Sequence, residues 1–364
     1  VPMSGDTARK SACATWLLAF TLQASPFVER RIASARELIQ KNKNDSRGYN
    51  DLAMALAKRF RETGDPAYLK QSEEALGKSF RLAPTNFEGR KARVFIRLQE
   101  RRFADALEEA QALNKQTPDD NTIYGFIADA QIALGNYPEA DAATQRMLDM
   151  HRVNAPALQR GAELREVYGD FDGAREWWNS ALRLTSASDT EERAWIATHL
   201  ALVDLHAGKP DGADTILEEA LKREPDYPEA IEALARVRMV QNRAADAVEL
   251  LRKRGNSYLL AQALEKSGHP DEAKRMYALL DNRDLIRYYS NEGGNPKEAV
   301  RLARLEVQKR HDIFTLDALA WALYRNGETE EARQRIGEAL AVGTKDPGIL
   351  AHAMEIRGQA TNAP

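Results

Sequence analysis

A single cysteine, Cys13, stands in the whole chain, so neither an intrachain disulfide nor a cysteine metal cluster is available to it. Aromatics make up only 7% of the 364 residues, and Val, Ile and Thr are sparse, a composition that suits sheets poorly. Alanine fills the gap at about one residue in six, which favours helices. Neither charge is in excess, since 52 basic and 55 acidic residues leave a net charge of -3. A nucleic-acid binder held by a basic face is therefore disfavoured, and no nucleic-acid partner is expected. No integral membrane span is expected either, because the most apolar stretch, Ala12 to Leu22, falls well short of the roughly 20 residues needed. With 43% apolar and 29% charged residues, the chain can bury a core and solvate an exterior, which excludes wholesale disorder.

Catalytic signatures are missing as well: there is no HExxH zinc pair, no phosphate-loop GxxxxGK, no GxGxxG and no GxSxG. His199 and His206 share a helix face, but two turns, about 10 Å, separate them, too far for one metal. No catalytic, cofactor-binding or metal-binding residue is assigned, and the chain is expected not to be an enzyme. The nearest approach to an acid–base site is Glu163 with Arg160 and His199.

At the amino terminus, Arg9 and Lys10 precede an uncharged run from Ser11 to Pro26 whose apolar centre ends before Gln23 and Ala24. That order over residues 1–24 resembles a secretory signal peptide and predicts a periplasmic or secreted protein. The alternative is a buried first helix in a cytoplasmic chain.

What is present in abundance is a period. A turn-like Gly followed five residues later by Ala recurs as Gly135 and Ala140, Gly169 and Ala174, Gly208 and Ala213, Gly268 and Ala273, Gly294 and Ala299, and Gly327 and Ala332. Arg101 with Ala106 and Asn242 with Ala247 hold the same frame without the Gly. From Arg101 the turn positions step by 34, 34, 39, 34, 26, 26 and 33 residues. Within the unit that starts at Asn121, residues Tyr124, Ile127, Ala128 and Gln131 follow helical i, i+3, i+4, i+7 spacing. Gly135 then ends the helix, Pro138 opens the next, and Ala140 stands where two antiparallel helices approach closely. Helices of 11 to 14 residues are marginal alone, so each hairpin must lean on its neighbours.

This pattern resembles the tetratricopeptide repeat family over roughly residues 45 to 345. The second-helix half is the better kept, as in Ala174, Trp178 and Ala181. The resemblance implies an all-α fold, a right-handed α-solenoid of about nine stacked helix-turn-helix repeats. Residues 25–44, with Ser25 as N-cap and a stripe of Ile32, Ala35, Leu38 and Ile39, would form an N-terminal capping helix. Residues 346–364 would form the helix of an incomplete repeat, either a cap or the start of more array, and a possible surface for self-association. The segment Gly64 to Tyr68 reads as a turn about three residues longer than the others, and Ser186 to Thr190 as an inserted surface loop. The two 26-residue steps predict short helices and a break in curvature between 250 and 294.

The resemblance also implies a function: a non-catalytic scaffold that holds a peptide or partner helix in a concave groove. Alternatives are a component of a cell-envelope export or assembly machine, and an enzyme with an unrecognised groove site. In this family the stripe about 120° round each first helix from its core seam lines the groove. Carried over, it selects Lys91 and Phe95, Thr122 and Asp129, Gln159 and Glu163, and Trp195, Thr198 and Leu202. Further along come Glu232 and Arg236, Tyr258 and Gln262, and Asp284 and Tyr288, with Phe126, Arg160 and His199 on the border. The family's carboxylate clamp of Lys and Asn is absent, since Phe95 follows Lys91 and Glu163 follows Gln159 at the relevant places. Trp195 and Tyr258 are expected to anchor the partner without contributing to stability.

Overall fold

The computed structural model describes residues 26–150, 154–252, 257–278, 280 and 282–358. The signal-peptide segment 1–24 with Cys13, the N-cap candidate Ser25 and residues 359–364 lie outside the described residues. Twenty α-helices and no strand occur among those described.

Helix α1 (Pro26–Lys41) packs on the first of nine antiparallel hairpins, α2 (Ser46–Thr63) with α3 (Pro66–Leu82). There follow α4 (Phe87–Gln99) with α5 (Phe103–Gln116), α6 (Asn121–Ala133) with α7 (Tyr137–Met150), and α8 (Ala155–Val167) with α9 (Phe171–Leu184). The central pairs are α10 (Thr190–His206) with α11 (Pro210–Arg223), α12 (Pro228–Val240) with α13 (Ala244–Arg252), and α14 (Tyr258–Lys266) with α15 (Pro270–Tyr277). The last are α16 (Asn282–Asn291) with α17 (Pro296–Val307) and α18 (Ile313–Arg325) with α19 (Thr329–Leu340), before α20 (Pro347–Arg357). First helices stack on first helices, as in α4 on α6 and α16 on α18, so even-numbered helices form one layer of the solenoid.

The frame read from the sequence is realised in the backbone. All eight turn positions have φ between 59° and 86°, including the two that are not glycine, Arg101 and Asn242. In seven of the eight the next residue's N–H bonds back to the carbonyl five residues earlier, as Asn136 N does to Gln131 O at 2.9 Å, the Schellman closure of a helix end. The alanine five residues on is buried in all eight of these hairpins, from Ala106 to Ala332. A larger side chain there would force the two helices apart.

Three expectations are corrected. In α1, Leu38 is 47% exposed, and Val28, with Ile32 and Ala35, forms the buried stripe. The Gly64 turn is short: Gly64 ends α2 and Asp65 caps α3, so the extra residues extend α2 to 18. The insertion at 186–190 is only partly loop, because α10 begins at Thr190 and runs 17 residues against 13 in α6, α8 and α12. Both irregularities are thus about one extra helical turn.

Helices α13 to α16 are short, at 9, 9, 8 and 10 residues. Of all successive pairs, α15 and α16 make the least contact among the described residues. The core divides there: Tyr288 packs with the cluster of α12 to α15, whereas Ile286 and Tyr289 belong with α17 to α20.

An ideal solenoid touches only its neighbours in sequence. This one returns on itself. The loop after α17 meets the turn between α6 and α7, where His311 N donates to Ala133 O and Ile313 N to the Tyr137 hydroxyl, both at 3.0 Å. At Gly135 an added Cβ would lie 2.4 Å from His311 O, so the returning chain requires glycine there independently of its φ of 77°. One turn position back, Arg101 reaches Glu306 at 3.6 Å, and one position on, Gly169 abuts Lys345. Tyr137, Ala140, Leu164 and Val167 share one buried core with Ile313, Leu316, Trp321 and Ile349.

Candidate functional site

The return of the chain narrows the inner surface, and a second contact crosses it. The lengthened α2 carries Lys58 and Arg61, and the lengthened α10 carries Glu191 and Glu192, next to its cap Asp189. Arg61 meets Glu191 at 2.7 Å and Glu192 at 3.3 Å, and Lys58 meets Glu191 at 3.1 Å and Asp189 at 3.3 Å. The Glu191 side chain has no exposed surface. Burial by itself would raise its carboxyl, but Arg61 and Lys58 outweigh that and hold it below the usual carboxylate range. Gln159 on α8 adds a hydrogen bond to Glu192 at 2.9 Å.

Beside this bridge lies a cavity of about 580 Å³. Phe95, Phe126 and Trp195 wall it, together with Thr122, Asp129, Gln159, Arg160 and Glu163, so eight of the residues selected from the sequence converge there. Arg160 is held by Asp129 at 2.6 Å and by the Gly125 and Pro156 carbonyls. Arg61 lies over the Trp195 ring at 5.7 Å. Burial, then the neighbouring Asp129 carboxylate, push Glu163 up to about 8, and burial pushes Glu166 up to about 8 even though it accepts the Trp178 indole N–H at 2.7 Å.

A second cavity of about 870 Å³ adjoins the first through Arg310, which lines both. Arg236, Tyr258, Gln262, Glu232 and Asp284 open onto it, with the half-exposed Phe314 opposite. Arg236 is paired with Glu232 at 2.6 Å.

The remaining selected residues sit elsewhere. Lys91 is tied to Asp120 at 2.7 Å. Thr198 is buried, with its hydroxyl on Ala194 O, and Leu202 packs in the core of α10 to α12. His199 stacks on Trp178 at 4.9 Å and lies 4.4 Å from Trp195; burial, then the Arg61 charge, push it down to about 4, so it is neutral at pH 7. Tyr288 stacks on Tyr277 at 4.4 Å. Tyr258 is only 6% exposed and its hydroxyl reaches Glu292 at 2.9 Å. It therefore belongs to the core as well as the cavity wall, and removing it costs stability, contrary to the sequence expectation. Arg61, Glu192, Glu229 and Arg310 line the interior outside the stripe selected from the sequence. Arg61 and Glu192 lie on the lengthened helices, which the sequence displays as irregular spacing; Arg310 arrives through the return of the chain, which no local pattern encodes.

Among the described residues no group of three or more His, Cys, Asp or Glu is arranged to hold a metal ion, and no helix is long and apolar enough to cross a membrane.

The geometry is that of an all-α solenoid built from helical hairpins. Tetratricopeptide repeat models match residues 96–155, 204–256 and 315–345, and the chain belongs to the tetratricopeptide repeat superfamily. Among solved structures, the APC/C hetero-tetramer Cut9-Hcn1 is similar at 14% identity and a TM-score of 0.51, with 92% of this chain and 60% of that chain covered. The human IFIT1 dimer with m7Gppp-AAAA is similar at 14% identity and a TM-score of 0.51, covering 87% and 77%. A thermophilic tetratricopeptide repeat protein of Thermus thermophilus shares 19% identity at a TM-score of 0.45 over 52% of this chain and 99% of its own. These likenesses are of fold. The chain spans about 60% of the length of the Cut9 structure. No curated protein matches it.

Proposed function

We propose that this protein is a non-catalytic interaction scaffold that takes an extended protein segment into the interior of its superhelix. The observation that supports this most is the pair of adjoining cavities, about 580 and 870 Å³, which share Arg310 and gather thirteen of the eighteen residues picked from the sequence: eight in the first and Glu232, Arg236, Tyr258, Gln262 and Asp284 in the second. A site walled by aromatics with charges of both signs has the composition of surfaces where a few anchors dominate binding. A nucleic-acid ligand such as the one in the IFIT1 structure fits less well, because the guanidiniums lining the smaller cavity are already held by carboxylates.

A photo-crosslinking residue placed at Gln262 should form adducts with a partner in cells, whereas the same residue at the exposed Glu176, which lines neither cavity, should not. Adducts at Glu176 alone would move the binding surface to the outside. A role in a cell-envelope export or assembly machine is the second reading, supported by the charged, then apolar, then small-residue order of residues 1–24. Mass spectrometry of the mature amino terminus from a bacterial host tests it: an uncleaved terminus excludes the export part.

A further inference from the structure

The interior site proposed above carries a charge imbalance that specifies its ligand. Three guanidiniums line the smaller cavity and each is engaged: Arg61 with Glu191 and Glu192, Arg160 with Asp129, and Arg310 with Asp312 at 2.6 Å. Two further side chains, Glu163 on α8 and Glu229 on α12, line the same cavity and form no ion pair within 4 Å among the described residues. Glu229 has only a 3.4 Å contact from the Tyr227 hydroxyl. The surface Glu163 leaves open faces the cavity, and protein encloses it otherwise. Phe95, Phe126 and Trp195 supply aromatic wall around the same space. The chain already uses this combination for its own arginines, since Arg61 lies 5.7 Å from the Trp195 ring and Arg310 5.6 Å from the Phe103 ring, each beside a carboxylate.

We propose that the carboxylates of Glu163 and Glu229, within this aromatic wall, receive a lysine or arginine side chain of the bound segment. A cation there favours ionisation of Glu163 and meets Glu229 and polarizable ring faces, whereas an acidic side chain would add like charge beside Glu229 and hold Glu163 protonated. The electrostatics agree. Burial pushes the Glu163 carboxyl up to about 8, Asp129 from α6 and Glu229 from α12 add to the rise, and Arg160 and Arg310 oppose it without cancelling it. Glu229 is shifted upward by burial and by Glu191, against Arg61. An arriving guanidinium favours the charged form of Glu163, so binding releases a proton and strengthens as pH rises from 6 towards 9.

The test uses the whole chain and acetylated, amidated heptapeptides of glycine and serine with a central arginine, citrulline or glutamate, followed by peptide-observed NMR. Arginine should bind about tenfold more tightly than citrulline, the glutamate peptide more weakly still, and the advantage of arginine should grow between pH 6 and 9. The double variant Glu163→Gln with Glu229→Gln, checked by circular dichroism for an unchanged fold, should erase that advantage. Equal affinity for arginine and citrulline, preference for glutamate, or no binding of any peptide overturns the proposal. A benzophenone on the peptide separates this failure from failure of the interior site. Crosslinks to α6 and α8 without charge preference sink only the cation receptor, while crosslinks confined to the outer helices sink the interior site itself.

Discussion

At the level of single residues, the eight turn positions carry two distinct constraints that substitution can separate. Gly208 has a φ of 74° but open space around a new Cβ, whereas Gly135 has a φ of 77° and the His311 carbonyl in its way. Gly208→Ala should therefore cost only the left-handed backbone penalty, about 1–2 kcal/mol, and Gly135→Ala that penalty plus the displaced seam. Urea denaturation of the two variants reads the difference; equal losses would mean that the returning loop does not press on Gly135. The buried titrating groups give a second prediction. Glu163 and Glu166, raised to about 8, bind more protons folded than unfolded between roughly pH 4.5 and 8, so stability falls as pH rises through that window. His199, lowered to about 4, acts at the other end, and its contribution is lost as pH falls from about 6.5 through 4. Two raised carboxyls outweigh the one lowered imidazole, so through these groups the melting temperature should fall as pH rises from about 5 to 8, and Glu163→Gln should flatten that decline. A melting temperature that climbs from pH 6 to 9 would contradict these environments.

At the level of elements, the two lengthened helices explain each other. The lengthened α2 brings Arg61, and the lengthened α10 brings Glu191, into a contact across some 130 residues of sequence. Removing one partner leaves a buried, uncompensated charge, so Arg61→Ala should destabilise by about 3–5 kcal/mol, while replacing Arg61 and Glu191 together by leucine should recover most of it. If Arg61→Ala melts like the parent protein, the bridge is not formed in solution. The hairpin frame is legible in the sequence because a helix end, a left-handed residue and a close-packed alanine are local requirements within a few residues of each other: Arg101 and Asn242 belong to the frame by their alanines, and both have positive φ. The Gly64 and Ser186–Thr190 segments are not legible in the same way, because an added helical turn and an added loop look alike in spacing. Helical phase puts Phe95, Gln159 and Trp195 on the cavity wall, but it mistakes the role of Tyr258, since phase reports direction and not how deeply a neighbour covers the ring.

At the level of the whole molecule, the decisive feature is non-local. Hairpins two to four carry hairpins eight and nine on their turn edge, so the interior holds a pair of adjoining cavities and the repeats are linked beyond their nearest neighbours. Nothing in the period announces that His311 will lie against Ala133, because each unit encodes only its contacts with adjacent units. A chain closed this way should unfold as a larger cooperative unit than an open array. The most direct test is native-state hydrogen exchange of two amides, His311 N–H in the loop before α18, bound to Ala133 O, and Ile313 N–H at the start of α18, bound to the Tyr137 hydroxyl. The closed superhelix predicts that both exchange as slowly as the helices of the third hairpin, and that Tyr137→Phe accelerates Ile313. Exchange of both amides at the rate of an unprotected loop, unchanged by Tyr137→Phe, would show an open solenoid and contradict the return of the chain onto its third hairpin.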